Sequence, residues 1–140
     1  MIQINAYITF DGNCREAMNF YQSIFGGQLN FMHVAGSPIE AQCPASMKDA
    51  ILHSTLMEGN NLILMGSDMI GPGGYVRGNN VTLSINCLTE GDINNLYEKL
   101  SEGGEILDPL KRQFWGALFA VVVDKFGIKW MMNCEPQAQQ

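Results

Sequence analysis

The sequence has few basic residues and none of the cysteine motifs that mark small metal or redox sites. Lys and Arg number 8 against 14 Asp and Glu, and the resulting net charge of −6 would repel nucleic-acid phosphates. Cys14, Cys43, Cys87 and Cys134 include no C-x-x-C pair, which argues against a zinc knuckle or a thioredoxin-like site. We therefore expect no nucleic-acid partner and four reduced cysteines that serve as small apolar side chains.

Long apolar runs, low-complexity tracts and a leader-like N-terminus are also missing. No apolar stretch approaches the roughly 20 residues that span a bilayer, and no basic segment precedes an apolar core at the start. Hydrophobic residues make up 46% and charged residues 16% of the 140, which is typical of a globular chain. We expect a single domain over residues 1–140, cytoplasmic and without a membrane partner.

Two helices with matching signals indicate an internal duplication. Asn13 and Thr89 are residue types that begin helices, and each is followed three positions later by an acid, Glu16 or Asp92. Both segments end in a glycine pair, as a left-handed helix end requires. Apolar residues at helical spacing predict one buried face on each helix: Ala17, Phe20, Tyr21 and Ile24 in the first, and Ile93, Leu96, Tyr97 and Leu100 in the second.

Alternating segments around each helix predict the strands. Residues 2–10 and 80–87 alternate between apolar and polar side chains, which indicates strands with two different faces. Residues 28–34 and 105–110 predict a further strand in each half, where Pro109 indicates an edge or a strand end. Two hairpins follow, with turns at Glu58 and Asp124. The expected fold is α+β, with two β-α-β-β-β modules forming a curled mixed sheet and the helices outside.

The predicted modules occupy residues 2–67 and 80–134, and residues 68–79 connect them. Residues 35–49 form an irregular insertion, read either as a surface loop or as a flap over a pocket. The tail after Cys134 is expected to be frayed.

Two motifs, together with the duplication, resemble a known family. Paired β-α-β-β-β modules are typical of the vicinal oxygen chelate superfamily, which includes glyoxalase I, bleomycin-resistance proteins and extradiol dioxygenases. Two segments resemble its PhnB-like branch, which is also catalogued as demethylubiquinone-methyltransferase-like. The first is residues 7–21, and the second is Phe114-Trp-Gly-Ala-Leu-Phe followed by Asp124-Lys-Phe-Gly-Ile-Lys-Trp-Met-Met-Asn. The resemblance covers residues 2–134 and implies sheets that curl into a ligand-holding cup.

The resemblance also implies four metal-ligand positions, usually His and Glu, on the first and last strands of each module. They fall here near Asn5 (or Ala6), near Met65, on Asn80 and on Met131. Thioether and amide groups are poor ligands for a hard or borderline divalent ion. We therefore expect neither the standard metal site nor a cofactor, and we interpret the two methionines as apolar filler.

The remaining candidates for ligand contact come from the strand pattern. The polar strand faces would leave Asn5, Tyr7, Thr9, Asn80, Thr82 and Ser84 lining the cup. His53 is the preferred polar contact, because a histidine can act as an acid, a base or a hydrogen-bond donor near neutral pH. Trp115, which has no counterpart in the repeat, is a candidate for a pocket rim or an interface, whereas Trp130 is expected to pack against a helix.

Three functions remain open. The first is a metal-free protein that binds a small molecule, with His53, Tyr7, Asn80, Trp115, Met131, Met65 and Asn5 as candidate contacts. The second is a lyase, isomerase or dioxygenase of the superfamily that uses a relocated metal or none. The third is a structural module with a vestigial pocket.

Methyl transfer is not expected. The glycine cluster at residues 71–74 is followed by a strand, whereas a methyl-donor site needs a glycine-rich loop that leads into a helix. A homodimer is expected, because relatives commonly form one and because a module of this size can leave a sheet edge exposed.

Overall fold

The structure is a computed structural model, and it describes residues 1–136. Contacts divide the chain into two compact units, Met1–Val76 and Arg77–Gln140. The predicted fraying of the tail lies largely outside the described residues. The helices and strands follow one another as β1 (Tyr7–Thr9), α1 (Cys14–Phe25), β2 (Gln28–His33), β3 (Ile51–Glu58), β4 (Asn61–Ser67), β5 (Leu83–Asn86), α2 (Glu90–Ser101), β6 (Glu105–Arg112), β7 (Leu118–Val123) and β8 (Lys129–Cys134).

Each unit has the β-α-β-β-β order that the repeat predicts, and the fold class is confirmed. Hydrogen bonds arrange the strands as two four-stranded sheets, in the orders β1-β4-β3-β2 and β5-β8-β7-β6. In both sheets the first strand pairs parallel with the last, and the other neighbours are antiparallel. The two halves are therefore copies of one topology, including the parallel pair that a simple meander would lack.

One face of each sheet packs on the unit's own helix. Helix α1 buries Cys14, Ala17, Met18 and Tyr21, which again follow the i, i+3, i+4, i+7 spacing of a buried stripe. This stripe is rotated from the predicted one, since Phe20 and Ile24 are only partly buried. Met18 of the observed stripe packs against Gly66 on β4, where an added Cβ would lie 3.3 Å from Met18 Sδ. Helix α2 buries Ile93 and Leu100, as predicted, whereas Leu96 and Tyr97, predicted on the same face, are only partly buried.

The opening strands are shorter than their alternation predicts. Residues 2–6 and 80–82 lie outside β1 and β5, and the side chains of Ile2 and Ile4 are 89% and 94% exposed. Both strands lie at the edge of a sheet and have a single hydrogen-bonded neighbour. Alternation describes two chemically different faces, but a strand also needs a neighbour along its whole length.

Two other predicted features agree with the structure, although β6 runs two residues beyond the predicted 105–110. Strand β6 lies at a sheet edge, and its register shifts between Asp108 and Lys111, on either side of Pro109. Residues 35–49 form an exposed irregular segment with two short 3-10 turns, Glu40–Gln42 and Ala45–Met47.

Candidate functional site

Each sheet has a face turned away from its helix, here called the open face. In the first unit, Ser54 lies 3.5 Å (Oγ to Sγ) from Cys14 of α1, and a Cβ on Gly66 would lie 3.3 Å from Met18 Sδ. Strand neighbours of these two residues therefore point the other way, because side chains alternate. Tyr7, His53, Thr55 and Met65 occupy those alternate positions and are only partly buried or exposed.

Tyr7 and His53 form a hydrogen-bonded aromatic pair on the first open face. The Tyr7 Oη atom lies 3.0 Å from His53 Nδ1, and the two rings stack with centroids 5.5 Å apart. Tyr7 is 48% exposed, so a solute can reach the pair. Two predicted site residues from β1 and β3 are thus brought together. Either atom can donate, depending on the histidine tautomer, so the pair can offer both a donor and an acceptor.

Met65 lies beside Tyr7 rather than beside Asn5. The parallel register pairs Tyr7 with Met65, and Met65 in turn faces Thr55 on β3. Asn5 precedes β1 and is exposed. The candidate contacts Tyr7, His53 and Met65 therefore share one face, and the structure does not place Asn5 in that strand.

The second unit repeats this arrangement with different chemistry. Met131 pairs with Ser84 in the parallel register of β5 and β8, just as Met65 pairs with Tyr7. Asn80 is exposed and precedes β5, so the residue level with Met131 in the neighbouring strand is Ser84. Met131 and Ser84 alternate with the buried Trp130 and Met132, which places them on the second open face.

Trp115 lies at the exposed tip of the β6–β7 hairpin within an aromatic cluster. Its ring makes edge contacts with Phe114 at 4.8 Å and with Phe119 at 6.4 Å between centroids. Phe114 is 97% exposed and Trp115 is 47% exposed. Arg112 supports the tip, because its guanidinium donates to the Gly116 carbonyl oxygen at 2.8 Å and to the Glu90 carboxylate at 2.6 Å.

Comparisons with known proteins agree with this topology. The family model of the Glyoxalase/Bleomycin resistance protein/Dioxygenase superfamily matches residues 3–132. The chain belongs to this superfamily. Protein YjdN of Escherichia coli K12 is 29% identical over 143 residues and is matched over 96% of both chains.

Solved structures show the same glyoxalase-superfamily fold. Protein PA1353 from Pseudomonas aeruginosa has a TM-score of 0.82 and 36% identity, over 98% of this chain and 100% of that one. A Bacillus cereus PhnB protein, described as a putative 3-demethylubiquinone-9 3-methyltransferase, has a TM-score of 0.71 and 24% identity, over 95% and 99% of the two chains. At that identity the second likeness shows the fold alone.

The four superfamily metal positions do not fit a divalent ion in this glyoxalase-superfamily chain. The positions that the resemblance implies, near Asn5 (or Ala6), near Met65, on Asn80 and on Met131, offer amide and thioether groups, and Asn5 and Asn80 are exposed outside the strands. Hard and borderline divalent ions prefer carboxylate and imidazole ligands. Within residues 1–136, no three His, Cys, Asp or Glu side chains come close enough together to hold a metal ion.

Asp68 is a buried residue whose role the sequence did not reveal. Its carboxylate accepts hydrogen bonds of 2.9 Å from the Cys14 amide, which begins α1, and from the Ile51 amide, which begins β3. A carboxylate at a helix start also complements the helix dipole. The aspartate lies in the predicted connector, and no local motif signals that it reaches back across the chain by more than 50 residues.

Asp124 is the buried acid of the second unit, and here the sequence was informative. It accepts from the amides of Phe126 and Ile128 at 2.8 and 3.0 Å, as expected of an acid in a turn. It also accepts from Trp130 Nε1 at 2.8 Å, which accounts for the burial of Trp130. Asp124 therefore has a structural role.

His33 lies on the helix side of the first sheet, away from the open face. Its Nε2 atom accepts from the Arg15 guanidinium at 2.6 Å, because arginine can only donate. Arg15 also lies over the Phe31 ring, at 5.2 Å from the centroid.

A groove of about 500 Å³ lies at the start of α1, and none of the predicted ligand contacts lines it. Its lining residues are Gly12, Asn13, Arg15, Glu16, Asn19, Asp49, Ile51 and Asp68. Asp68 in its wall is already satisfied by backbone amides, so the groove does not displace the open face as the candidate site.

Proposed function

We propose that this protein binds a small molecule on the open face of its first sheet and holds no resident divalent metal. The proposal rests on the Tyr7–His53 pair, which places a 3.0 Å hydrogen bond between two polar aromatic side chains on an accessible surface. Binding sites of this kind combine apolar walls with a few polar groups that fix the orientation of the ligand.

The neighbouring side chains indicate the class of ligand. Met65 pairs with Tyr7, Met32 pairs with His53, and Met32 is 54% exposed. Methionine adapts its shape and contacts aromatic rings favourably. A neutral aromatic molecule with one hydroxyl or carbonyl group matches this surface. Met131 and the Trp115–Phe119 pair offer similar apolar surface on the second unit, and Asn80 and Asn5 remain predicted polar contacts outside the strands.

Ligand-observed NMR with phenols and aromatic aldehydes tests this function. We expect weak binders whose affinity falls at least threefold in Tyr7→Phe and in His53→Gln, since each substitution removes a polar group from the pair. His33→Gln is the matched control, because His33 lies on the other face of the same sheet. Binding that is equal in all four proteins would refute the proposal, and so would the absence of any binder.

Proton transfer is a second candidate function, which the same pair favours. A phenol hydrogen-bonded to an imidazole can move a proton to or from a bound carbonyl compound. The reaction would be a lyase or isomerase step, or that of a dioxygenase with a relocated metal. Turnover of a bound aldehyde or ketone that is lost in His53→Gln, while binding persists, would favour an enzyme. If the open face binds no ligand, the function that remains is that of a structural module with a vestigial pocket.

We also propose that the protein is a cytoplasmic homodimer. Ile106 and Leu107 on the edge strand β6 are 46% and 47% exposed, and they lie in the same unit as the exposed Phe114. Exposed apolar side chains near a sheet edge are typical of association surfaces. Light scattering should give twice the chain mass, and Leu107→Lys should lower the measured mass.

Within residues 1–136, no helix is long enough to span a bilayer, since α1 and α2 have 12 residues each.

A further inference from the structure

Cys87 and Cys134 lie side by side at the ends of two neighbouring parallel strands. The last register pair of β5 and β8 is Asn86 with Asn133, and both cysteines come one residue later. The Cys87 amide donates to the Asn133 carbonyl oxygen at 2.7 Å, so the pairing of the strands extends to this point. Residues level with each other on paired strands project to the same side. The two thiols therefore share the side of Ile85 and Met132.

The separation and the burial of the pair suit a disulfide. Neighbouring strands lie about 4.8 Å apart, which falls within the roughly 4.4–6.8 Å that Cα atoms of a disulfide span. Cys134 is 2% exposed, whereas Cys87 is partly exposed. Burial, followed by the adjacent Cys134 thiol and by Asp92, raises the pKa of Cys87.

We propose that Cys87 and Cys134 form an oxidisable thiol pair, which a low-molecular-weight disulfide converts into an intramolecular disulfide. The more exposed Cys87, once deprotonated, attacks one sulfur of the oxidant and releases the first thiolate. Deprotonated Cys134 then attacks Cys87 Sγ in the mixed disulfide and releases the second thiolate. Two protein thiols lose two electrons and two protons, and the oxidant is reduced to two thiols. The product joins the end of β5 to the end of β8, directly before α2.

The pair is distinct from the other two cysteines. Cys14 is fully buried against α1 and hydrogen-bonded to Ser54, and Cys43 lies in the irregular segment 35–49. Burial raises the pKa of the Cys14 thiol to about 11, which keeps it protonated and unreactive. Both cysteines serve as internal references in one experiment on the whole chain.

Oxidised glutathione at pH 8.5, followed by alkylation, trypsin digestion and mass spectrometry, tests the pair. We expect a peptide pair linked through Cys87 and Cys134, in more than half of the chains, that separates on reduction. Cys134→Ala should instead hold glutathione on Cys87, because the resolving thiol is gone. Cys43→Ser is the matched control and should form the link as the wild type does.

Circular dichroism of each variant establishes that it is folded before its chemistry is compared. If folded wild-type protein gives Cys87 and Cys134 as separately alkylated or separately glutathionylated peptides, the proposal is wrong. A link that persists when Cys134 is replaced would also overturn it, since another cysteine would then supply the second sulfur.

Discussion

At the scale of single residues, Gly66 fixes the contact between β4 and α1. A Cβ at this position would lie 2.8 Å from Phe10 Cε2 and 3.3 Å from Met18 Sδ, which is too close for a packed interior. The sequence offered no signal for this role, because Gly66 ends an apolar run like any other residue of the strand.

Replacing Gly66 by alanine should destabilise the fold. We expect Gly66→Ala to lower the free energy of unfolding by about 1–3 kcal/mol, because the added methyl group overpacks the contact with Phe10 and Met18. Urea unfolding measures the change. Gly71→Ala is the control, since no described atom lies within 4 Å of the Cβ it would add. Equal midpoints for the two variants would contradict the assignment.

Cys14 should make stability fall at alkaline pH. Burial raises the pKa of its thiol to about 11, whereas an unfolded chain releases this proton near pH 8.5. Between about pH 9 and 11 the folded state therefore binds more protons than the unfolded state. The contribution of the protonated Cys14 thiol to the free energy of unfolding is complete below this window and is lost as the pH rises through it. As the pH rises through this window, the urea concentration at the midpoint of unfolding should fall less steeply in Cys14→Ala than in the wild type. Parallel declines would show that Cys14 ionises without affecting folding.

At the scale of the elements, the two helices begin differently although their sequences look alike. Thr89 Oγ1 accepts from the Asp92 amide at 3.1 Å, so it caps α2 as predicted. The side chain of Asn13 makes no capping bond among the residues described, and Asp68 accepts from the Cys14 amide in its place. Asn13 is therefore the N-cap residue, as predicted, but the carboxylate of Asp68, directly after β4, supplies the acceptor that its side chain was expected to supply.

This difference predicts unequal effects of the same substitution. Thr89→Ala should lower the free energy of unfolding by about 1 kcal/mol, because it removes a capping acceptor. Asn13→Ala should change it by less than about 0.5 kcal/mol. Thermal unfolding of both variants measures the difference. A larger loss for Asn13→Ala would mean that its side chain supports α1 in a way the contacts do not show.

At the scale of the whole molecule, the repeat made the topology predictable, whereas the site was only partly predictable. The two β-α-β-β-β units follow from periodicity, which records which face of each element is buried. The pairing of Tyr7 with His53 depends on strand order and register, which alternation does not specify. For the same reason the positions level with Met65 and Met131 are Tyr7 and Ser84, not Asn5 and Asn80.

Removing metal should leave the molecule unchanged. The superfamily positions offer amide and thioether groups, which bind hard or borderline divalent ions poorly, so chelation should remove nothing that stabilises the fold. We expect dialysis against EDTA to shift the melting temperature by less than about 1 °C. Elemental analysis before dialysis should find far less than one zinc, nickel, manganese or iron per chain. A stoichiometric ion whose loss lowers the melting temperature would refute the metal-free proposal.

The hydrogen bonds of Asp68 determine where the first unit can be shortened. An excised fragment that stops at Ser67 retains every strand of the first sheet, yet it leaves the amides of Cys14 and Ile51 without their acceptor. A single further residue restores both bonds. Any truncation or fusion junction that is meant to preserve the first sheet therefore belongs after Asp68.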